Sequence, residues 1–216
     1  MATPKHASNF NREPRVLYLA TQNEHKVEEF QDMLGPEWDV RSTARLEAES
    51  GEKISWDETG ETFEANARIK ARTLRRLTRA AVLADDSGLV VDALGGAPGI
   101  YSSRYAGTPH GTPRKDADAA NTRKLLAALE GIPDAQRTAR FICCLLFIDE
   151  GGKETAIEGS CEGRIATAPS GKGGFGYDPV FLVPGRGCTM AELPDAEKNM
   201  ISHRASAVGK FLAKFL

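Results

Sequence analysis

No CxxC pair and no Cys/His ligand spacing occurs in the 216 residues, so a zinc-type site is not predicted. The four cysteines, Cys143, Cys144, Cys161 and Cys188, read instead as buried, reduced thiols of a cytoplasmic protein. An excess of either charge is missing as well. Lys and Arg number 28 against 30 Asp and Glu, a net charge of -2, which leaves no broad basic surface for sequence-independent binding of nucleic acid. No stretch approaches the ~20 apolar residues that cross a membrane, so no membrane partner is expected. The opening MATPKHASNFNREP has no apolar core and no cleavage site; residues 1–14 read as a flexible arm rather than a signal peptide. Internal repeats and domain linkers are also lacking, so residues 15–216 are expected to form one domain. What is present is a globular composition, 41% apolar and 27% charged.

The order of elements reads as α/β. RVLYLA (residues 15–20) is a short apolar run of strand length, and Val27, Phe30 and Leu34 then fall at helical spacing before Gly35-Pro36. Thr43 to Gly60 is polar and reads as a surface loop. Residues 61–80 return to helical spacing, with Ala67, Ala71, Leu74 and Leu77 inward and Arg and Lys outward. AVLADDSGLVVDAL reads as strand, turn, strand around Asp85-Asp86-Ser87-Gly88. A helix follows near residues 115–130, then two long strands joined at Glu150-Gly151-Gly152, and a terminal amphipathic helix carrying Val208, Phe211, Leu212 and Phe215. A central mixed sheet flanked by helices is expected, with polar segments gathered at strand ends, where α/β folds place ligands.

Four segments depart from what a fold alone requires. Between the first strand and helix stand Thr21-Gln22-Asn23-Glu24-His25-Lys26, a helix start able to hold an anion. Lys26 there opposes the helix dipole, a mismatch that a bound phosphate would repair. Asp85 and Asp86, neighbours on a strand, point opposite ways, so one can face a cleft while the other braces the backbone; a carboxylate so placed suits Mg²⁺ or an attacking water. The segment from Ser170 to Pro179 interleaves glycines with Phe175 and Tyr177, whose rings offer flat surfaces to a purine. It lacks Walker A spacing. Glu197-Lys198-Asn199 and Ser202-His203-Arg204 put cationic or donor side chains at the start of the last helix, where an acceptor-rich group must face them. Each segment alone also admits a plain structural reading: an N-cap, an Asx turn, a glycine hairpin, a solvated turn. Together they describe a nucleoside polyphosphate site.

In LATQNEHKVEEF, ETGETFEANARIKAR, ADDSGLVVDALGGAPGIYSSRYAG, GGFGYDPVF and EKNMISHRASAVGKF, in that order, the chain resembles the inosine/xanthosine triphosphate pyrophosphatases (ITPases) from about Val16 to Phe215. The resemblance implies two lobes around a nucleotide-binding cleft, a homodimer, and Mg²⁺-dependent conversion of ITP, dITP and XTP to monophosphate and pyrophosphate. It makes Asp86 the metal-binding residue and proton acceptor and Ser87 a substrate contact. Thr21 to Lys26 become the phosphate-binding turn. Phe175, Gly176, Tyr177 and Asp178 become the nucleotide loop, and Lys198, His203 and Arg204 the remaining substrate residues, the last two near the base. One departure stands out: Ala65 replaces the acid that often precedes Asn66, which leaves Glu64 as a candidate second metal ligand or Asp86 alone. Two other readings remain: a Maf-like pyrophosphatase for other nucleotides, and a nucleotide-binding module without hydrolysis.

Overall fold

The structure, a computed structural model, describes residues 13–109 and 111–215; the expected arm falls almost wholly outside them. The chain runs β1 (Arg15–Leu19), α1 (Glu24–Leu34), β2 (Trp38–Arg41), α2 (Thr43–Ser50), α3 (Phe63–Arg75), β3 (Ala81–Val91), α4 (Arg114–Ala128), β4 (Thr138–Ile148), β5 (Glu154–Ile165), β6 (Phe181–Leu182), α5 (Asp195–Ile201) and α6 (His203–Phe215). One mixed sheet has the order β2-β1-β3-β4-β5-β6, with β1 parallel to both neighbours and the rest antiparallel. Where a surface loop was expected, α2 forms, because Ser42 caps it by accepting the Arg45 N–H at 3.2 Å and Leu46 turns inward.

The expected strand, turn, strand around Asp85 is one continuous strand. β3 pairs residue by residue with β4 from Val82↔Ile148 to Val91↔Ala139, so nothing forces a turn at Ser87-Gly88. The other edge of β3 behaves differently. β1 pairs only as far as Leu19↔Leu83, and beyond a last bond from the Ala20 N–H to the Leu83 carbonyl it leaves the sheet. From there to the Val90↔Pro98 bridge, no strand among the described residues pairs with this edge of β3. The polar residues lie mid-strand, yet beside the carboxyl end of β1, which is the crevice where an α/β sheet takes its ligand.

The strand's alternation sorts the cores. Ala81 and Leu83 pack with Phe30, Leu34, Val208 and Phe211 of α1 and α6. Val82 and Ala84 pack with Ala67, Ala71 and Leu74 of α3. Past the polar segment, Leu89 and Val91 join a separate core with Leu125, Leu129, Phe141 and Phe181. Burying each such large side chain stabilises by about 1.5–3 kcal/mol. The two lobes are these cores strung on the long β3–β4 pair, and the interval between them holds Asp85, Asp86 and Ser87.

Candidate active site

Asp85 points to the α1/α6 face, where three elements meet it. Lys26 of α1 lies 3.0 Å from its Oδ2, and the Arg204 Nε of α6 donates to the same oxygen at 3.1 Å. The Ser87 hydroxyl and, at 3.3 Å, the Cys143 thiol donate to Oδ1. Burial alone would raise this carboxyl's pKa, but Lys26 and Arg204 outweigh it and hold Asp85 well below the usual carboxylate range. Asp86 points to the α3 face. There the Lys70 ammonium donates to its Oδ1 at 2.7 Å and to Glu58 Oε1 at 3.1 Å. Burial raises the Asp86 pKa, Lys70 opposes, and the charges of Glu58 and Asp85 add to the rise, which prevails. Because β3 has an open edge here, both carboxylates reach the same cleft, of about 580 Å³. That volume suits a small-molecule site.

The glycine-rich segment forms the cleft's other wall. Asp178 organises it: Oδ2 accepts the Phe175 N–H at 3.0 Å and the Lys198 ammonium at 2.6 Å. Gly174 has φ +70°, and a Cβ there would sit 2.1 Å from that same oxygen, so only glycine fits. Phe175 leaves its ring 45% exposed, with Lys198 4.7 Å and the Arg204 guanidinium 5.6 Å from the centroid. His203 stacks on Phe141 at 5.0 Å and 19°. Its Nδ1 is buried without a partner, and burial, reinforced by the charge of Arg204, pushes the imidazole pKa down to about 3. The imidazole is therefore neutral, with its Nδ1 shut away from solvent.

The Ham1 family model matches residues 17–214.

The chain belongs to the Ham1 family.

The dITP/XTP pyrophosphatase of Bacillus licheniformis is 50% identical over 200 residues, spanning 92% of this chain and 97% of that one. The dITP/XTP pyrophosphatase of Bacillus subtilis is 49% identical over 199 residues, 92% and 95% of the two chains. Among solved structures, the Staphylococcus aureus Ham1 protein superposes with a TM-score of 0.81 at 36% identity, covering 93% and 97%.

Most residues singled out from the sequence of this Ham1 protein line the one cleft. Asn23, Lys26, Asp86 and Ser87 do so beside the carboxylates. Phe175, Gly176, Asp178, Lys198, His203 and Arg204 do so beside the aromatic segment. Thr21 and Gln22 line an adjoining groove that shares Lys26, Glu58 and Lys70 with it. Glu24 instead faces a separate depression with Asp39 and Arg45, and the side chain of His25 lies outside the described part.

Several details differ from the sequence reading. The mismatch of Lys26 with its helix dipole is repaired from within, by Asp85. Lys198 belongs to the aromatic wall, its charge taken by Asp178. Tyr177 also lines the cleft but is 4% exposed, with its hydroxyl donating to the Ser102 carbonyl at 2.8 Å, so Phe175 offers the larger open ring surface. Arg204 lines the cleft at only 4% exposure, fixed by Asp85 and by Glu29 at 3.4 Å. Glu64, the candidate metal acid, pairs with Arg68 one turn on and lines a different depression; about 100° of helical rotation separates it from its neighbour Ala65.

The carboxylate actually set beside Asp86 is Glu58, which sequence reasoning missed. Lys70 was assigned to the outer face of its helix but is 6% exposed. The signal was available: Asn66, Ala67, Lys70, Ala71 and Leu74 form a single buried stripe. Among the described residues, no three His, Cys, Asp or Glu side chains converge into an all-protein metal cage. Two close carboxylates, one held above its ordinary pKa chiefly by burial, nevertheless fit a hard cation that takes one or two carboxylates and completes its shell with water and phosphate.

Proposed function

We propose that this protein hydrolyses the deaminated purine nucleoside triphosphates ITP, dITP and XTP to monophosphate and pyrophosphate, with Mg²⁺, in the cytoplasm. The observation that carries the reading is the joining, in one cleft, of the Asp86–Glu58 carboxylates and the cations Lys26, Lys70 and Arg204 with an exposed Phe175 ring and a neutral His203. Curated relatives at 46–50% identity bearing the name dITP/XTP pyrophosphatase support the same substrate class. Four free cysteines, three of them buried, suit a reducing compartment.

Asp86 and Glu58 would hold Mg²⁺, which when bound supplies charge neutralisation and polarisation of phosphate oxygens. Asp86, its proton affinity already raised, orients a water and takes its proton as the water oxygen bonds to the α-phosphorus. The α–β bridging P–O bond breaks and its electron pair leaves with pyrophosphate. Lys26 and Lys70, each on a carboxylate in the free protein, exchange those partners for phosphate oxygens and stabilise the developing charge. Phe175 stacks on the purine. Donors near the base, His203 foremost, meet a 6-keto oxygen and are left unpaired by the 6-amino group of adenine, a mismatch that costs ~1–3 kcal/mol.

The test is pyrophosphate released from ITP, dITP, XTP, GTP and ATP, with and without Mg²⁺. Release from dITP and XTP with kcat/KM at least about 10²-fold above ATP is expected. Absence of release, or equal turnover of ATP, overturns the reading. Membership of the Ham1 family already sets aside the Maf-like alternative.

A further inference from the structure

The inward face of α4 is only partly apolar. Leu125 and Leu129 enter the core, but Asn121 at 1% and Thr122 at 6% exposure are buried alongside them. Buried polar side chains are costly unless paired, and here the partners are backbone groups of the two segments that border the cleft. Asn121 accepts the Ala106 N–H at 2.7 Å and donates to the Ser103 carbonyl at 3.1 Å. Asp118 Oδ2 accepts the Gly176 N–H at 3.0 Å, and the Thr122 hydroxyl donates to the Gly176 carbonyl at 3.3 Å. Positions 118, 121 and 122 share one helical face. The second oxygen of Asp118 is held by Arg114 Nε at 2.9 Å, which fixes the carboxylate's orientation.

Both polar groups of Gly176 are therefore taken by α4, on the residue next to Phe175. Glycine is the residue least able to hold its own backbone, so without this tether the segment carrying the Phe175 ring would rest on Asp178 alone, which holds the Phe175 backbone N–H and carbonyl. Resting on the nucleotide-hydrolase reading above, we infer that Asp118 and Thr122 are positioning residues for the nucleobase: by clamping Gly176 they set the plane of Phe175 before substrate arrives. Ordering done in advance is ordering that binding does not have to oppose. The clamp acts on base affinity and base choice, and leaves the reacting phosphates alone.

Asp118→Ala, Asp118→Asn and Thr122→Val test this, with melting curves confirming that each folds. Asp118→Ala raises KM for XTP and the Kd of XMP, measured by calorimetry, about ten-fold each, while kcat stays within about three-fold. Asp118→Asn keeps an oxygen acceptor for Gly176 and recovers both constants to within about three-fold of wild type. Thr122→Val, nearly isosteric and lacking only the hydroxyl, gives about a three-fold rise. Amide hydrogen exchange at Gly176 in the ligand-free protein speeds up in Asp118→Ala and stays slow in Asp118→Asn. Unchanged KM and Kd in Asp118→Ala, or a loss confined to kcat, overturns the inference. Failure of the hydrolase reading looks different: wild-type protein releases no pyrophosphate from XTP, whereas exchange at Gly176 is read without any nucleotide.

Discussion

On one face of β3, Asp85 receives two cations, a hydroxyl and a thiol; on the other, Asp86 receives a single ammonium that it shares with Glu58. The two residues are adjacent, and both are largely buried. Their surroundings drive their proton affinities in opposite directions, down for Asp85 and up for Asp86. On the function proposed above, one strand then supplies both a support and a reagent. A carboxylate already met by four donors ties α1, β3 and α6 together and has little left to offer a substrate. A buried carboxylate beside another acid, with one ammonium shared between them, gains from a metal, a water proton or both.

Substituting each aspartate breaks the comparison from one side. Asp86→Asn is expected to lose about 10³-fold or more in kcat/KM for dITP, the scale of a lost general base, with a melting temperature near that of wild type. Pyrophosphate release and a thermal melt on one preparation check both halves. Asp85→Asn does the reverse: it strips Arg204 of its main counter-charge in a buried site and lowers stability by about 3–5 kcal/mol. For a chain of this size that is a fall in Tm on the order of 10 °C. If Asp86→Asn unfolds and Asp85→Asn melts as wild type does, the roles have been assigned the wrong way round.

Much of this site was legible before the fold was known, and the exceptions share a cause. Asp86, Phe175, His203 and Arg204 announce themselves because a carboxylate in an apolar strand, an aromatic among glycines, or cations at a helix start conflict with local rules. Glu58 and Lys70 conflict with nothing. Glu58 sits in a polar stretch where acids are ordinary, and Lys70 passes for a solvent-facing residue until its stripe with Asn66 and Ala71 is drawn. What brings them beside Asp86 is tertiary: α3 packs on β3 with Lys70 inward, and Glu58 of the preceding segment meets it there. The unbroken course of β3 was hidden for a similar reason: Asp-Asp-Ser-Gly reads locally as a turn, and only the pairing with β4 overrides it. The helix-period and strand-period segments with clear caps, α1, α6 and the β4–β5 hairpin, were readable directly.

The Glu58–Asp86 pair also sets Glu58 against Glu64, the acid that the sequence put forward. Glu58→Gln is expected to raise the Mg²⁺ concentration for half-maximal activity about ten-fold or more, by removing one of two carboxylates from the metal's reach. Glu64→Gln, which disturbs only a surface pair with Arg68, is expected to stay within about two-fold. A Mg²⁺ titration of both variants decides; a shift in Glu64→Gln with none in Glu58→Gln would return the metal to the helix.

The smallest effect is a matter of sign, read from acid unfolding in the presence of a chelator. Asp85 has a folded pKa below its unfolded value, so its contribution to stability is present above about pH 4 and is lost as pH falls through the folded pKa. Asp86 has a folded pKa above its unfolded value, so the folded protein takes up this proton first and gains relative stability as pH falls through that pKa towards about 4. Wild type therefore carries two opposed slopes on its acid limb. Asp85→Asn removes the unfavourable one and flattens the decline of stability with acid, from a lower starting value. Asp86→Asn removes the favourable one and steepens it. Urea midpoints at intervals from pH 7 to 3 resolve the two slopes. Changes of the same sign in both variants would mean that the two faces of β3 do not hold their carboxylates differently after all.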